Sequence, residues 1–275
     1  MFWKQNKNNS SESPRILTLD YPLMPSLMEF RSLGENRLLS ALPIEYQERL
    51  RTSTRPVTLS SGEVIHEPGG RLDQVCFPLT AIIAFVHTTE EGSTAVMGLA
   101  GNEGLVGIDF FLSNDAFFSG AVVLVAGNAL QVKAEALEEE FAKGDLFQRL
   151  LLRYTQALII QLSQTAICNR LHLLGKRICR WLLFCHDRVR SDDLRMTHEA
   201  ISSVVSVRRE SATVALRRLQ QLGLIQQAQG YITILDRKGL EARACECYRV
   251  VETETDRLLG TQGKRAPEVS GRHAR

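Results

Sequence analysis

The segment spanning residues 196–235, MTHEAISSVVSVRRESATVALRRLQQLGLIQQAQGYITIL, constrains the fold of this chain more than any other. Its first part holds two short runs in which apolar residues recur every three or four positions, as in helices that bury one stripe. The stripes consist of Ile201, Val204 and Val205, and of Ala212, Ala215, Leu216 and Leu219. After Gly223, two strand-like runs flank a turn through Ala228, Gln229 and Gly230, which is typical of a β-hairpin. Two helices followed by a hairpin predict a winged helix-turn-helix.

The second predicted helix has a polar outer face that suits contact with nucleic acid. Arg208 and Arg209 open this helix, where cations oppose the helix dipole, so local stability does not explain them but a bound phosphate would. Thr197 can cap the first helix. The outward residues of the second helix are Arg209, Glu210, Thr213, Arg217 and Arg218. Arginines on the solvated face of an ordinary helix pair are the alternative, which does not account for their combination with the turn and the hairpin.

The composition of the chain limits where its partners can bind. The 275 residues suffice for two domains and a connecting element. The net charge is only +2, so a basic surface has to be local, and residues 195–218 hold five arginines against two glutamates. There is no run of about 18 apolar residues, and the N-terminal residues lack the apolar core of a signal peptide. We therefore expect a cytoplasmic protein with no membrane partner.

Changes in residue pattern divide the chain into five parts and predict an α+β fold. Polar, proline-punctuated residues come first, and a short helix over 36–50 is interrupted at Pro43. Many short strands with glycine-bearing turns then predict a small antiparallel β-barrel or jelly roll, before helix formers take over near Ala136. The predicted parts are a flexible arm (1–34), a β-barrel domain (35–140), a long connecting or dimerisation helix (141–170), a winged helix-turn-helix domain (171–259) and a flexible tail (260–275).

The long predicted helix has an apolar stripe near heptad spacing, which indicates a helix that could pair with its copy. The stripe consists of Phe147, Leu150, Tyr154, Ala157 or Leu158, and Gln161 or Leu162. An ordinary core helix packed on the barrel is the alternative. We favour dimerisation, because a single helix-turn-helix contacts too little DNA for useful specificity and two-fold sites fit dimers.

A barrel, a long helix and a winged helix-turn-helix with V-R-R-E at residues 207–210 resemble the Crp/Fnr family of bacterial transcription regulators. The resemblance covers residues 35–259, and GEVIHEPG at 62–69 looks like the glycine turn of the family's barrel. It implies a sensory barrel like those that bind cyclic nucleotides. It also implies a homodimer on two-fold symmetric double-stranded DNA, and contact with RNA polymerase if the protein is an activator.

The resemblance also assigns roles on the recognition helix. Arg209 is expected to donate a bidentate pair to guanine O6 and N7, and Glu210 to accept from cytosine N4. Two residues depart from the family pattern. Val214 replaces another base-reading arginine and could touch a thymine methyl, and Ser206 stands at the usual turn glycine. The predicted DNA-contacting residues are Thr197, Arg208, Arg209, Glu210, Thr213, Val214 and Arg217.

The predicted effector pocket departs further from the members that bind cyclic AMP. Those members hold the ribose with a Gly-Glu-Leu segment and the phosphate with an Arg-Ser pair. The aligned residues here are Gly107, Ile108, Phe118 and Ser119. Since Ile108 replaces the glutamate and Phe118 the arginine, the phosphate would lack its charged partner, and control by cyclic AMP is not expected. The effector, if one exists, is not identified by the sequence.

Metal and redox centres receive little support from the sequence, and we expect no cofactor and no metal. The six cysteines are Cys76, Cys168, Cys179, Cys185, Cys245 and Cys247. They form no C-x-x-C pair, and none lies near the N-terminus, where iron–sulfur members of the family carry theirs. Haem ligation by His66, His87 or Cys76 is an alternative without paired spacing. Cys245 and Cys247 are expected to be inert helix thiols that face different sides, with redox sensing as the alternative.

The sequence therefore predicts a homodimeric transcription regulator that is not an enzyme. A metal-dependent cupin-like enzyme is one rival, but the histidine-rich pattern of a cupin metal site is missing. A protein-interaction module that keeps only the helix-turn-helix fold is the other, and the base-reading pair Arg209 and Glu210 disfavours it.

Overall fold

The structure is a computed structural model that describes residues 33–70, 73–92, 94–113, 118–189 and 191–260. The predicted arm, apart from its last two residues, and the predicted tail beyond Gly260 lie outside the described residues. Two short helices open the described chain, α1 (Arg37–Ser40) and α2 (Ile44–Arg51), and Pro43 separates them as the N-cap of α2. Proline suits this position because its missing N–H would have no helical partner.

Two antiparallel sheets form the N-terminal half. The first has the order β1 (Thr54–Leu59), β7 (Gly127–Lys133) and β3 (Gln74–Pro78). The second has the order β2 (Val64–His66), β6 (Gly120–Val125), β4 (Ile82–Thr88) and β5 (Thr94–Ala100). Every pairing described is antiparallel. The strands therefore build the predicted jelly roll, with one core between the sheets.

Helices follow the strands. They are α3 (Asp109–Ser113), inserted between β5 and β6, then α4 (Ala134–Ala142), α5 (Leu146–Leu171) and α6 (Leu174–Val189). The C-terminal part comprises β8 (Asp193–Leu194), α7 (His198–Val204), α8 (Arg209–Gln221), β9 (Ile225–Ala228), β10 (Tyr231–Ile234), α9 (Arg237–Arg243) and α10 (Glu246–Leu259). The short strand β8 pairs with β10, so the wing is a three-stranded sheet rather than the predicted hairpin alone.

The long helix α5 packs on the jelly roll through polar as well as apolar contacts. The buried amide of Gln161 accepts a hydrogen bond from Leu99 N at 2.7 Å and donates to Leu99 O at 3.1 Å. Tyr154 donates its hydroxyl to Leu105 O at 2.9 Å. Glycine allows this approach, because a Cβ on Gly98 would lie 2.7 Å from the Gln161 oxygen and one on Gly104 would lie 2.6 Å from the Tyr154 ring.

This packing corrects the predicted dimerisation stripe. Phe147, Leu150, Tyr154, Ala157 and Gln161 are buried within their own chain. The apolar periodicity of α5 therefore reflects the alternative given above, in which a core helix packs on the barrel. Any pairing of α5 with its copy must use its other face.

The four-stranded sheet is apolar on both faces, because one face covers the jelly-roll core and the other covers the winged helix-turn-helix. All six residues of β6 are buried. Ile83, Phe85, Ala121 and Val123 face the core between the sheets. The alternating residues belong to a second apolar cluster that continues through α6 and α7 into α8 and the wing: Ile82, Ala84, Val86, Val122 and Leu124. The two halves of the chain thus share one continuous apolar core.

A buried ion cluster joins the same halves. Arg188 of α6 donates to Glu103 at 2.8 Å, with both side chains about 5% exposed or less. Glu252 of α10 lies 3.5 Å from Arg188. Burial raises the pKa of Glu252 to about 7, although Arg188 acts in the opposite direction. The other charged groups that act on Glu252 are Asp187, Glu103 and Arg37.

This shift predicts a pH dependence of stability. The pKa of Glu252 is higher in the folded than in the unfolded chain. Its contribution to the free energy of unfolding is therefore fully present below about pH 4.5 and is lost as the pH rises through about 7. Glu252→Gln should gain stability relative to the wild type over this window, by roughly 1–3 kcal/mol at pH 8. Urea unfolding from pH 5 to 8 measures the difference. As a control, the exposed Glu139→Gln should give a profile of unfolding free energy against pH that is parallel to that of the wild type. A parallel profile for Glu252→Gln would contradict the raised pKa of Glu252.

Candidate nucleic-acid interface

The first helix of the interface, α7, is fixed by local chemistry at both ends. At its start, Thr197 Oγ1 accepts a hydrogen bond from Ala200 N at 3.1 Å, and Glu199 suits the positive end of the helix dipole. At its end, Val207 N donates to Ser202 O at 3.0 Å and Ser206 N donates to Ser203 O at 3.2 Å. These two bonds form a Schellman motif, which turns the chain sharply into α8.

Ser206 carries the turn in the left-handed conformation, with φ of +50°. This is the position at which the sequence departs from the family's turn glycine. The fold keeps the turn all the same, because the two Schellman bonds and the half-buried Val207 hold the backbone there.

The recognition helix α8 buries one stripe and presents charge on the opposite face. Its stripe, Ala212, Leu216 and Leu219, is buried in the shared core. Arg208 is the N-cap of α8, makes no side-chain capping hydrogen bond and is exposed. The exposed residues among those predicted to contact DNA are Thr197, Arg208, Arg209, Glu210, Val214 and Arg217.

Two hydroxyls of the predicted set are already engaged within the chain. Thr197 caps α7. Thr213 is half-buried, donates to Arg209 O at 2.9 Å and lies 3.1 Å from Nδ1 of His198. Thr213 therefore joins α7 to α8, while Val214, which is 67% exposed, occupies the middle of the outward face.

The wing presents a further cation that the sequence analysis did not place. Gly230, the second residue of the two-residue turn Gln229–Gly230, has a φ of +79°, which glycine adopts without steric cost. Arg195, which precedes α7, stacks its guanidinium 5.6 Å from the centre of the Tyr231 ring. No sequence signal linked these residues, because 36 positions separate them.

A cleft separates the start of α8 from the jelly roll. Its cavity of about 590 Å³ is lined by Gly62 and Leu124 on the jelly roll, His198 and Arg209 on the two helices, and Tyr231 on the wing. The first turn of the recognition helix thus faces the four-stranded sheet.

The four residues of the predicted effector pocket are not brought together around this cleft. Ile108 lies in the apolar core beneath α5, next to Gly107 with its positive φ. Phe118 is 74% exposed and stacks on His87, with ring centroids 4.9 Å apart. Ser119 follows it. At two of the predicted pocket positions the structure therefore has a buried apolar residue, Ile108, and an exposed aromatic, Phe118.

The candidate haem ligands also lie apart. Cys76 belongs to the three-stranded sheet, whereas His66 and His87 belong to the four-stranded one. Burial raises the pKa of Cys76 to about 12 and lowers that of His66 to about 4. The Cys76 thiol is thus protonated at neutral pH and is a poor ligand.

The expectation for Cys245 and Cys247 is wrong in its geometry. Cys245 is the N-cap of α10 and has extended backbone, so the two cysteines are not an i, i+2 pair within one helix. Both thiols are buried, and both lie beside Cys168 and His172 from the end of α5.

Comparisons with known proteins agree with this architecture. Residues 176–243 match the Crp-like helix-turn-helix domain. Transcriptional regulator SdrP of Thermus thermophilus is 28% identical over 196 residues, which cover 68% of this chain and 93% of SdrP. TTHB099, a CRP-family transcriptional regulator of Thermus thermophilus, has 19% identity and a TM-score of 0.58 over 68% of this chain and 96% of its own. FixK2 of Bradyrhizobium japonicum has 16% identity and a TM-score of 0.59 over 70% of this chain and 98% of its own.

A jelly roll joined by a long helix to a winged helix-turn-helix, with arginines on the exposed face of the second helix, defines a class of transcription regulators. Within that class, residues 176–243 carry a Crp-like helix-turn-helix domain, and the chain as a whole is similar to transcription regulators of the Crp/Fnr type. The predicted α+β fold class is confirmed, and so is the prediction of a regulator rather than an enzyme. Among the described residues, none of the helices has both the length and the apolar character needed to cross a membrane.

The turn before α8 yields a prediction on stability. Ser206→Gly should raise the free energy of unfolding by about 0.5–1 kcal/mol, because glycine adopts positive φ at no steric cost, which outweighs its larger loss of chain entropy on folding. Ser203→Gly, three residues earlier and inside α7, should lower it by about as much. Urea unfolding of both variants tests the pair, and a destabilised Ser206→Gly would show that this turn is not left-handed.

Proposed function

We propose that this regulator binds two-fold symmetric operator DNA as a homodimer, with α8 in the major groove. The observation that carries the proposal is the exposed row on α8 that begins with Arg208, Arg209 and Glu210 and ends with Arg217. Arg209 has the planar donor pair that matches guanine O6 and N7, and Glu210 can accept from cytosine N4. Arg208, Arg217 and Thr197 lie where phosphates would flank the helix. Because DNA is the proposed partner, we place the protein in the cytoplasm.

Dimerisation is proposed to use the outer face of α5. The face turned away from the jelly roll exposes large apolar side chains along the helix: Leu152, Ile159, Ile167 and Leu171. The first three recur every seven or eight residues, which is the spacing of a helix that pairs along its length. Contiguous apolar surface of this kind marks an interaction site, and a second copy of α5 would cover it symmetrically.

We propose that the winged helix-turn-helix moves away from the jelly roll when DNA binds, because Arg209 lines the cleft between them. The first turn of α8 borders a cleft that has the volume of a small-molecule site, far too small for a duplex. The contact that must open is the apolar one between α7 or the wing and the four-stranded sheet. The equilibrium between closed and open arrangements is therefore where a signal would act.

Control by cyclic AMP is not part of the proposal. A cyclic phosphate in an apolar pocket needs a cationic partner, and Phe118 stands where the family places its arginine. Ile108 is committed to the apolar core instead of facing a ribose.

Arg209 provides the sharpest test of base reading. Arg209→Ala should cost about 1–3 kcal/mol of discrimination between the best operator and one with the contacted guanine replaced. Arg209→Lys keeps the charge but loses the bidentate geometry, so it should keep salt-dependent affinity and lose discrimination. Fluorescence anisotropy on both DNAs over a range of salt concentrations measures this. Arg249→Ala, on the exposed side of α10, should match the wild type, and unchanged discrimination in Arg209→Ala would refute base reading by this residue.

The proposed dimer is tested by a charge placed on the outer face of α5. Ile159→Glu should convert the dimer to a monomer in sedimentation velocity and weaken operator binding, because a carboxylate would be buried in the interface. Val250→Glu places the same charge on a comparable exposed apolar position of α10 and should leave the dimer intact. A dimer that survives Ile159→Glu would exclude this face as the interface.

A further inference from the structure

Four metal-ligating side chains converge where the end of α5 meets the start of α10. Cys168 and His172 come from the last turn of α5 and its C-cap, and Cys245 and Cys247 come from the N-cap and first turn of α10. Their ligand atoms all lie within 4.8 Å of one another. The sulfurs of Cys168 and Cys245 are 3.5 Å apart, and the Cys247 sulfur is 3.6 Å from Nδ1 of His172.

The two shorter separations match those around a single tetrahedral ion, and the others, at no more than 4.8 Å, would close by up to about 1 Å when an ion binds. Zn–S bonds of about 2.3 Å and Zn–N bonds of about 2.0–2.1 Å place tetrahedral ligand atoms about 3.5–3.8 Å apart. A disulfide would need the sulfurs of Cys168 and Cys245 to move to about 2.05 Å, and it would leave Cys247 and His172 unused. An iron–sulfur cluster distributes its ligands over two or more irons, so ligands on different irons lie further apart than the 4.8 Å within which all four atoms fall here.

Glu246 favours the tautomer of His172 that leaves Nδ1 free to bind a metal ion. Its Nε2 lies 3.3 Å from a carboxylate oxygen of Glu246, which is itself exposed. With the proton on Nε2, Nδ1 can accept an ion beside the Cys247 sulfur, which lies 3.6 Å away. A carboxylate behind a ligating histidine is the usual second partner in zinc sites.

A buried cation beside the cluster has no carboxylate partner among the described residues. Arg180 of α6 is fully buried, and its Nη2 donates to Thr165 at 3.0 Å. Its Nε and Nη1 find no hydrogen-bond partner in the part of the chain that the structure describes. Its charge acts on the sulfurs of both Cys168 and Cys247. Three thiolates, one neutral imidazole and a divalent ion sum to one negative charge, which would balance this guanidinium.

We propose that Cys168, His172, Cys245 and Cys247 bind one Zn²⁺ ion in a tetrahedral site of three sulfurs and one nitrogen. Zinc is preferred because its structural sites are closed, four-coordinate and rich in cysteine. The three thiols release their protons to solvent as the ion binds. The site fastens α10, the last helix of the DNA-binding part, to the end of α5. It does not depend on the DNA-binding proposal.

The test begins with the full-length chain, purified without a histidine tag or chelator under reducing conditions. Mass spectrometry of the elements should find about one zinc per chain. Replacement by Co²⁺ should give sulfur-to-cobalt charge-transfer bands and the intense visible bands of a tetrahedral ion. Cys247→Ser should lose this spectrum, whereas Cys185→Ser, which removes a buried thiol elsewhere, should keep it. A folded wild-type chain that binds no Co²⁺ or Zn²⁺, or a spectrum unchanged in Cys247→Ser, would overturn the proposal.

A second variant avoids the risk that a core cysteine substitution prevents folding. Glu246 is exposed and is not a ligand, so Glu246→Gln should fold. Its affinity for zinc, measured by competition with a chelator, should be lower than that of the wild type by about 10-fold or more. Glu139→Gln is its control. Equal zinc affinities of Glu246→Gln and the wild type would count against the site. So would a disulfide between Cys168 and Cys245 in protein that was purified under reducing conditions. Arg209→Ala should bind zinc normally, so loss of DNA binding and loss of metal are separable.

Discussion

The contact between α5 and the jelly roll is the constraint on which the rest of the molecule depends. Gln161 bonds both main-chain groups of Leu99, and the glycines at 98 and 104 let the helix come close enough to do so. A long polar side chain is thereby buried without an unsatisfied atom, which would otherwise be costly. Once this face is fixed, the outer face, the position of α10 and the cysteines at the end of α5 are fixed with it.

The second structural commitment is the four-stranded sheet that is buried on both faces. A sheet in an isolated jelly roll could turn one face to water, but here alternate residues of β4 and β6 pack against the winged helix-turn-helix. Apolar burial, which is non-directional and can be broken and remade, therefore holds the winged helix-turn-helix to the sheet, while the buried pair of Arg188 and Glu103 joins α6 to the jelly roll. The proposed zinc site would hold α10 in a fixed position on the end of α5, because metal–thiolate bonds are directional.

The sequence was most informative where structure is determined locally. The cap at Thr197, the glycine turn at Gly230 and the spacing of Leu216 and Leu219 act within a few residues, and the two helices and the wing follow from them. The sequence analysis missed β8 because a strand of two residues shows no alternation of apolar and polar residues, and its partner β10 lies about 40 positions away. The DNA-contacting residues remain a prediction, since exposure on α8 does not by itself show what they bind.

Two errors share one cause, which is that a pattern does not say what lies opposite it. The stripe through Tyr154 marked a buried face of α5 correctly, but its partner is the jelly roll and not a second copy. Cys245 and Cys247 were judged by helix spacing, although Cys245 precedes the helix. The i, i+4 spacing of Cys168 and His172 was the available signal, and only the fold brings it to the other two cysteines.

The central claim is that α8 reads DNA from a two-fold symmetric dimer. Selection of sites from random double-stranded DNA, with purified full-length protein and no added nucleotide, followed by a salt titration on the best site, tests it most directly. The account predicts an inverted repeat whose half-sites lie about 10–10.5 base pairs apart, with affinity that falls steeply as salt rises. Failure to enrich any sequence from folded protein, both alone and with cell extract added as a source of effector, would contradict it.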